Sequence, residues 1–154
     1  MKIHMYLPDA GQPDRFAVTD ENRRLLLLTA GDPPLWRRRI TDPAGDAVLL
    51  HVRCTSLPGE SFVFSDITGT RGAYHLRRYS AVIRYSMLNG RWEMQYHKTE
   101  STVKITRRGK TIATARLLPE GAAYFIADIT EPSELLFVVG SLLAVSKELS
   151  TSST

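Results

Sequence analysis

The chain reads as a mainly β protein, a closed antiparallel barrel of about twelve strands around a buried hydrophobic C-terminal α-helix. Three observations point there. Short apolar runs alternate with polar residues at period two over most of the length, the pattern of strands with one buried face. The joints between runs carry Gly, Asn, Asp or Pro, the residues that tight turns require. The final apolar run, Leu135 to Val145, has no polar face at all and must be covered on every side. A helix with its side chains is ~10–12 Å wide, so one sheet face cannot shelter it. A barrel of about eleven strands can.

The strands are expected at Lys2 to Leu7, Arg15 to Thr19, Arg24 to Thr29, Leu35 to Thr41, Ala47 to Cys54 and Ser61 to Asp66. The second half adds Ala73 to Leu76, Ser80 to Ser86, Trp92 to Tyr96, Thr102 to Thr106, Thr111 to Leu117 and Ala123 to Ile129. Within Ala47 to Cys54, alternation places Val48, Leu50, Val52 and Cys54 on the core face and Leu49, His51 and Arg53 on the other. Asn89-Gly90 suits a two-residue hairpin turn, and Arg107-Arg108-Gly109-Lys110 places a glycine between two β-rich runs. A weak repeat at Phe16 to Leu25, Arg39 to Val48 and Val103 to Ile112 puts a turn cluster between two apolar runs, as successive hairpins of a meander would.

The helix is expected from Pro132 to roughly Lys147. Pro132 suits a first helical turn, Glu131 and Glu134 suit its positive end, and Lys147 suits its negative end. Such a helix is ~24 Å long, against ~20–23 Å for strands of six or seven residues, so rod and sleeve match. Its apolar run is about half the ~20 residues needed to span a bilayer, so no transmembrane segment is expected. With 154 residues, the chain fits a single domain over residues 1–149, followed by a flexible Ser-Thr-rich tail over residues 150–154.

Composition narrows the function classes. At 43% hydrophobic and 23% charged, the chain is ordinary globular protein rather than a disordered or low-complexity one. Cys54 is the sole cysteine, which excludes an internal disulfide and any zinc site built on paired cysteines and suits a reduced cytoplasm. The N-terminus has one lysine and no long apolar run, unlike a secretory signal.

No sequence signature of catalysis emerges. His51 and Cys54 fall on opposite faces of one strand, so they cannot form a nucleophile and base pair. The histidines, at 4, 51, 75 and 97, lie in separate elements without the close spacing of metal ligands. Neither a nucleophile elbow nor a phosphate-cradling glycine loop is present, and Asp128 has a more natural structural role near the helix start than a catalytic one. The expectation is a non-enzymatic protein with no cofactor and no metal.

The motifs Thr19-Asp-Glu-Asn22, Ile40-Thr-Asp-Pro-Ala-Gly45 and Ala127-Asp-Ile-Thr-Glu-Pro132, the last followed by the apolar helix, resemble the tubby C-terminal-like fold. Within it the chain is most similar to the LURP-one-related family. The resemblance spans nearly the whole chain and is most specific at Ala127 to Glu148. It implies a twelve-stranded barrel around a hydrophobic C-terminal helix, and it places the chain beside tubby proteins, which bind phosphoinositides, and phospholipid scramblases. The chain lacks the scramblases' cysteine-rich stretch and terminal membrane segment, so the resemblance does not imply lipid flipping.

Charge supplies the one site-like signal. Residues 71–116 hold eleven Lys or Arg and two acids, while the remainder of the chain is net acidic. If the strands run up and down, turns after even-numbered strands gather Arg71, Arg91, Arg107, Arg108 and Lys110 at one end of the barrel, where the helix also starts. These five are the candidate anion-binding residues, since cations and exposed helix amides both favour negative charge. The competing reading is that they are solvated surface or neutralise Asp128, Glu131 and Glu134. The expected role is a binding or scaffold protein for anionic, phosphoinositide-like headgroups, cytoplasmic and peripheral at a membrane surface. The alternatives are a nucleic-acid-binding module using Arg77-Arg78-Tyr79, Tyr85 and Trp92, or a protein-interaction domain with no small ligand.

Overall fold

The computed structural model describes residues 1–8, 11–12, 14–31, 35–55, 61–78, 81–87, 91–118 and 124–152, and for 70, 71, 78, 87 and 150–152 the backbone only. The strands are β1 (Lys2–Tyr6), β2 (Ala17–Asp20), β3 (Leu25–Gly31), β4 (Arg37–Thr41), β5 (Val48–Thr55) and β6 (Ser61–Asp66). They continue as β7 (Gly69–Arg78), β8 (Val82–Met87), β9 (Trp92–His97), β10 (Thr102–Arg107), β11 (Lys110–Leu118) and β12 (Tyr124–Ile129). Each strand is antiparallel to its sequence neighbours, and β1 pairs with β12 through Lys2 opposite Asp128 to Met5 opposite Phe125, which closes the barrel. Closure leaves no free strand edge to recruit another chain.

The expected inward and outward faces hold. On β5, Leu50 and Val52 are buried while Leu49, His51 and Arg53 are exposed. The three sequence repeats are the β2–β3, β4–β5 and β10–β11 hairpins, and each carries a one-residue register shift, between Val18 and Thr19, Ile40 and Thr41, and Ile105 and Thr106. Aspartates brace two of these turns. The Asp20 carboxylate accepts the backbone N–H groups of Asn22 and Arg24, each at 2.9 Å, and Asp42 accepts those of Asp46 at 2.9 Å and Ala47 at 3.3 Å. This local satisfaction of backbone donors is the reason such residues favour turns. The β10–β11 hairpin instead turns on Arg108 and Gly109, both left-handed at φ 52° and 79°, as a two-residue hairpin turn demands. The Asn89-Gly90 turn lies outside the described residues. Strand β7 runs longer than the expected Ala73 to Leu76, because Gly69 and Gly72 add no apolar alternation yet still pair with β6.

A single 3-10 turn at Pro132–Glu134 leads into helix α1 (Leu135–Ser152). Every residue from Val138 to Val145 is buried. Eight consecutive residues sweep more than two helical turns, so no face of this stretch meets solvent. The helix therefore lies inside the barrel. It extends past Lys147 to Ser152, since no Gly or Pro interrupts that segment.

A twelve-stranded barrel is wider than one helix, and the residual space is filled unequally. The helix backbone lies nearest β4, β5 and β12. On the side of β6 to β9, large rings reach across: Phe64 packs on Tyr74 at 5.5 Å between centroids and on Phe137 at 4.7 Å, and Trp92 stacks on Phe137 at 4.7 Å. Gly140 marks a close approach. A methyl group there would sit 3.1 Å from Leu50 Cδ2 and 3.2 Å from Phe64 Cε2. The helix also offers a polar group, which the barrel meets. Ser141 Oγ donates to the Phe137 carbonyl at 2.8 Å, so the Tyr74 hydroxyl, 3.1 Å away, donates to Ser141. Burial raises the Tyr74 pKa well above the usual phenol value and keeps the group a neutral donor.

Two substitutions test this packing by urea denaturation. Val139→Asp places an unpaired charge among apolar neighbours and should abolish cooperative folding at neutral pH, while wild-type stability would contradict the buried helix. Gly140→Val should cost ~1–3 kcal/mol by forcing Leu50 and Phe64 aside.

Candidate functional site

Up-and-down topology sends all connections after even-numbered strands to one end of the barrel, together with the start of α1. The Met1 ammonium is there too, donating to the Ile129 carbonyl at 3.0 Å. At this mouth, Arg91, Trp92, Arg107, Arg108, Lys110 and Glu131 line an open depression of about 590 Å³. Four of the five candidate cations are thus brought together. Arg71 is on β7, with its side chain outside the described residues.

The four are not equivalent. Arg107 ends β10 opposite Trp92 on β9, and its guanidinium lies 5.4 Å from the indole centroid. It donates from Nη2 to Glu131 at 2.6 Å and from Nη1 to Glu134 at 2.8 Å, while Lys110 Nζ reaches the other oxygen of Glu131 at 3.0 Å. A layered closure results, with guanidinium on indole, indole on Phe137 and Phe137 on Phe64. It anchors the first turn of α1 to the rim and covers the top of the core. The hydrogen bond from Lys110, with the charges of Arg107 and Lys110, holds the Glu131 carboxyl below its usual range despite partial desolvation. For Arg107 and Lys110, neutralisation of helix acids is therefore the structural role, as the plainer reading has it. Asp128 takes no part in it. It faces outward on β12 between Thr114 and Lys2, because Ala127 and Ile129 occupy the inward positions.

Arg108 differs. Its backbone N–H donates to the Arg91 carbonyl at 2.7 Å, which ties the β10–β11 turn to the start of β9. Its side chain is exposed and has no partner among the described residues. Arg91 is exposed beside it.

Further cations lie away from the mouth, on the outer wall. Arg77 on β7 is directly opposite Arg84 on β8, Arg84 opposite Gln95 on β9, and Gln95 opposite Lys104 on β10. Arg77, Arg84 and Lys104 are exposed and without partners among the described residues. Like charges facing across strands repel, so this row contributes an outward positive field rather than stability. Alternation within each strand puts these side chains on the outer face, but only the register between strands aligns them in a row.

Two of the histidines are locally occupied. His4 Nδ1 meets the Tyr124 hydroxyl at 2.7 Å and His75 Nδ1 meets Ser61 Oγ at 2.9 Å. Among the described residues no three His, Cys, Asp or Glu side chains gather as metal ligands. Cys54 packs partly buried against the core. Tyr85 and Trp92 are buried, so neither can stack on a nucleic-acid base; Tyr79 and the Arg78 side chain lie outside the described residues. Among the described residues no helix is long and apolar enough to cross a membrane.

No protein-family profile and no curated protein matches the chain. Among solved structures it is similar to the X-ray structure of the Arabidopsis thaliana protein AT5G01750, with a TM-score of 0.61 over 94% of this chain and 91% of that one. The two are 12% identical, so the likeness shows the fold alone.

The mouth network predicts an acid-sensitive contribution to stability. Glu131 has a lowered folded pKa, so its contribution is complete above the free carboxyl value of 4.5 and fades as pH falls through the lower folded value. Urea midpoints measured across this acid range should fall less steeply for Glu131→Gln than for wild type. Equal slopes would show that the Arg107 and Lys110 contacts do not hold in solution.

Proposed function

We propose that this chain is a LURP-one-related member of the tubby C-terminal-like fold that acts without catalysis, docking reversibly on anionic phospholipid surfaces at the cytoplasmic face of a membrane. The observation that carries the reading is the mouth depression, where exposed Arg108 and Arg91 stand beside Lys110 and Arg107 with Glu131 as the one acid in its lining. Arg107 is fixed by its bonds to the helix acids and shapes the floor. Arg108, Arg91 and Lys110, which is largely exposed despite its bond to Glu131, supply the contact with phosphate oxygens.

Magnitude decides the kind of binding. Each cation near an anionic leaflet contributes ~1 kcal/mol, so three give weak attachment that salt weakens further. The outer-wall cations Arg77, Arg84 and Lys104 add long-range attraction without a shaped pocket. Nucleic-acid binding gains no such support, because Tyr85 and Trp92 belong to the core.

Co-sedimentation with phosphatidylcholine vesicles, with and without phosphatidylinositol bisphosphate, tests the reading. The protein should pellet with the anionic vesicles alone and release as salt rises. Arg108→Glu, a swing of two charges, should weaken binding roughly thirtyfold, equivalent to ~2 kcal/mol. Equal binding to neutral vesicles, or preferential retention on single-stranded nucleic acid, would overturn it.

A further inference from the structure

We infer that the β6–β7 hairpin is a hydrophobic membrane anchor, whose Ile67 side chain enters the acyl boundary of an anionic bilayer while Arg91, Arg108 and Lys110 meet its headgroups; this rests on the lipid-surface reading above. Ile67 is 95% exposed, against 60% for Leu35, the next most exposed large apolar residue among those described. An isolated surface hydrophobe needs no explanation by itself. This one is distinguished by its place in the turn, by how it is held and by its neighbours.

Asp66 pairs opposite Gly69, so Ile67 and Thr68 form the apex of the hairpin. Turn apices favour Gly, Asn, Asp, Ser and Pro, and a β-branched apolar residue gains nothing there from local hydrogen bonding. The core gains nothing either, since the side chain points fully into solvent. The apex is also braced. The Asp66 carboxylate accepts the Thr68 N–H at 2.8 Å and the Thr68 hydroxyl as well, and Gly69 takes φ 118°, a conformation other residues rarely adopt. Ile67 is thus presented from a fixed backbone, which lowers the ordering entropy lost on insertion.

The hairpin stands at the charged end of the barrel. The β6–β7, β8–β9 and β10–β11 connections are successive along the same rim. At ~4.8 Å per strand, four strand spacings separate Ile67 from the Arg108 turn by ~20 Å of rim, with Arg91 between them. A planar surface can touch all three at once. Apolar insertion and headgroup attraction act on different layers of a bilayer, and stable reversible attachment commonly needs two such signals. A free inositol phosphate or an acidic peptide would engage the cations and leave Ile67 in water. A bilayer satisfies both.

The test uses the full chain and vesicles of phosphatidylcholine, phosphatidylserine and phosphatidylinositol bisphosphate. Burying one isoleucine is worth about tenfold to a hundredfold in partition, so Ile67→Asn should lose at least tenfold in vesicle affinity with unchanged thermal unfolding. Ile67→Trp should bind at least as well as wild type, and brominated acyl chains should quench its emission beyond the baseline from Trp36 and Trp92. Wild-type affinity in Ile67→Asn, or no quenching of the introduced indole by brominated lipid, overturns the anchor while leaving the lipid reading intact if Arg108→Glu still weakens binding. Absence of wild-type binding to these vesicles overturns both.

Discussion

An apolar helix with no polar face has to be covered from every direction, and the rest of this protein follows from that requirement. Water contact along Val138 to Val145 would forfeit the burial free energy of several large side chains, ~1.5–3 kcal/mol for each Val or Leu. A layer packed on one side leaves most of that surface wet. A closed barrel is the arrangement that encircles it, and twelve strands enclose more room than the helix fills. The surplus is taken up by Phe62, Phe64, Tyr74 and Tyr85, and Gly140 lets the helix come close to Leu50 and Phe64. Position inside the barrel is fixed by shape and by the hydrogen bond from Tyr74 to Ser141.

The same requirement organises the mouth. Because the helix must enter the sleeve from the end of β12, the 3-10 turn that leads into it brings Glu131 and Glu134 to the rim, where Arg107 and Lys110 meet them. Part of the positive charge expected there is therefore structural. What is left facing solvent is narrower than the basic segment suggests, and it is centred on Arg108 at a turn whose left-handed backbone holds the side chain outward. A hydrophobic apex farther along the same rim turns it from a merely charged edge into an amphipathic one.

The barrel was legible in the sequence because two periodicities coexist without ambiguity. Alternation at period two identifies each strand and its inward face, as on β5, and the apolar run from Leu135 breaks that alternation so completely that it can only be a separate, enclosed element. Alternation of connections between the two ends then places Arg91, Arg107, Arg108 and Lys110 together. Composition and spacing could not tell which of these cations has a partner, since the Arg107 bonds to Glu131 and Glu134 depend on how the helix threads the mouth. Nor could they single out Ile67: it falls in the connection expected between Asp66 and Ala73, but only the pairing of Asp66 with Gly69 makes that connection a two-residue apex with Ile67 at its tip. The Arg77 and Arg84 pairing was hidden for the same reason, because register across strands is set by hairpin geometry rather than by the pattern within one strand.

Amide hydrogen exchange along the helix tests the enclosed rod most directly. Residues 138–145 lie inside a sheet that must open before water can reach them, so their amides should exchange only through global unfolding, with the full urea dependence of the barrel. Exchange of this segment through a low-energy opening while the strand amides stay protected would mean that the helix leaves the barrel on its own, and the architecture described here would be wrong.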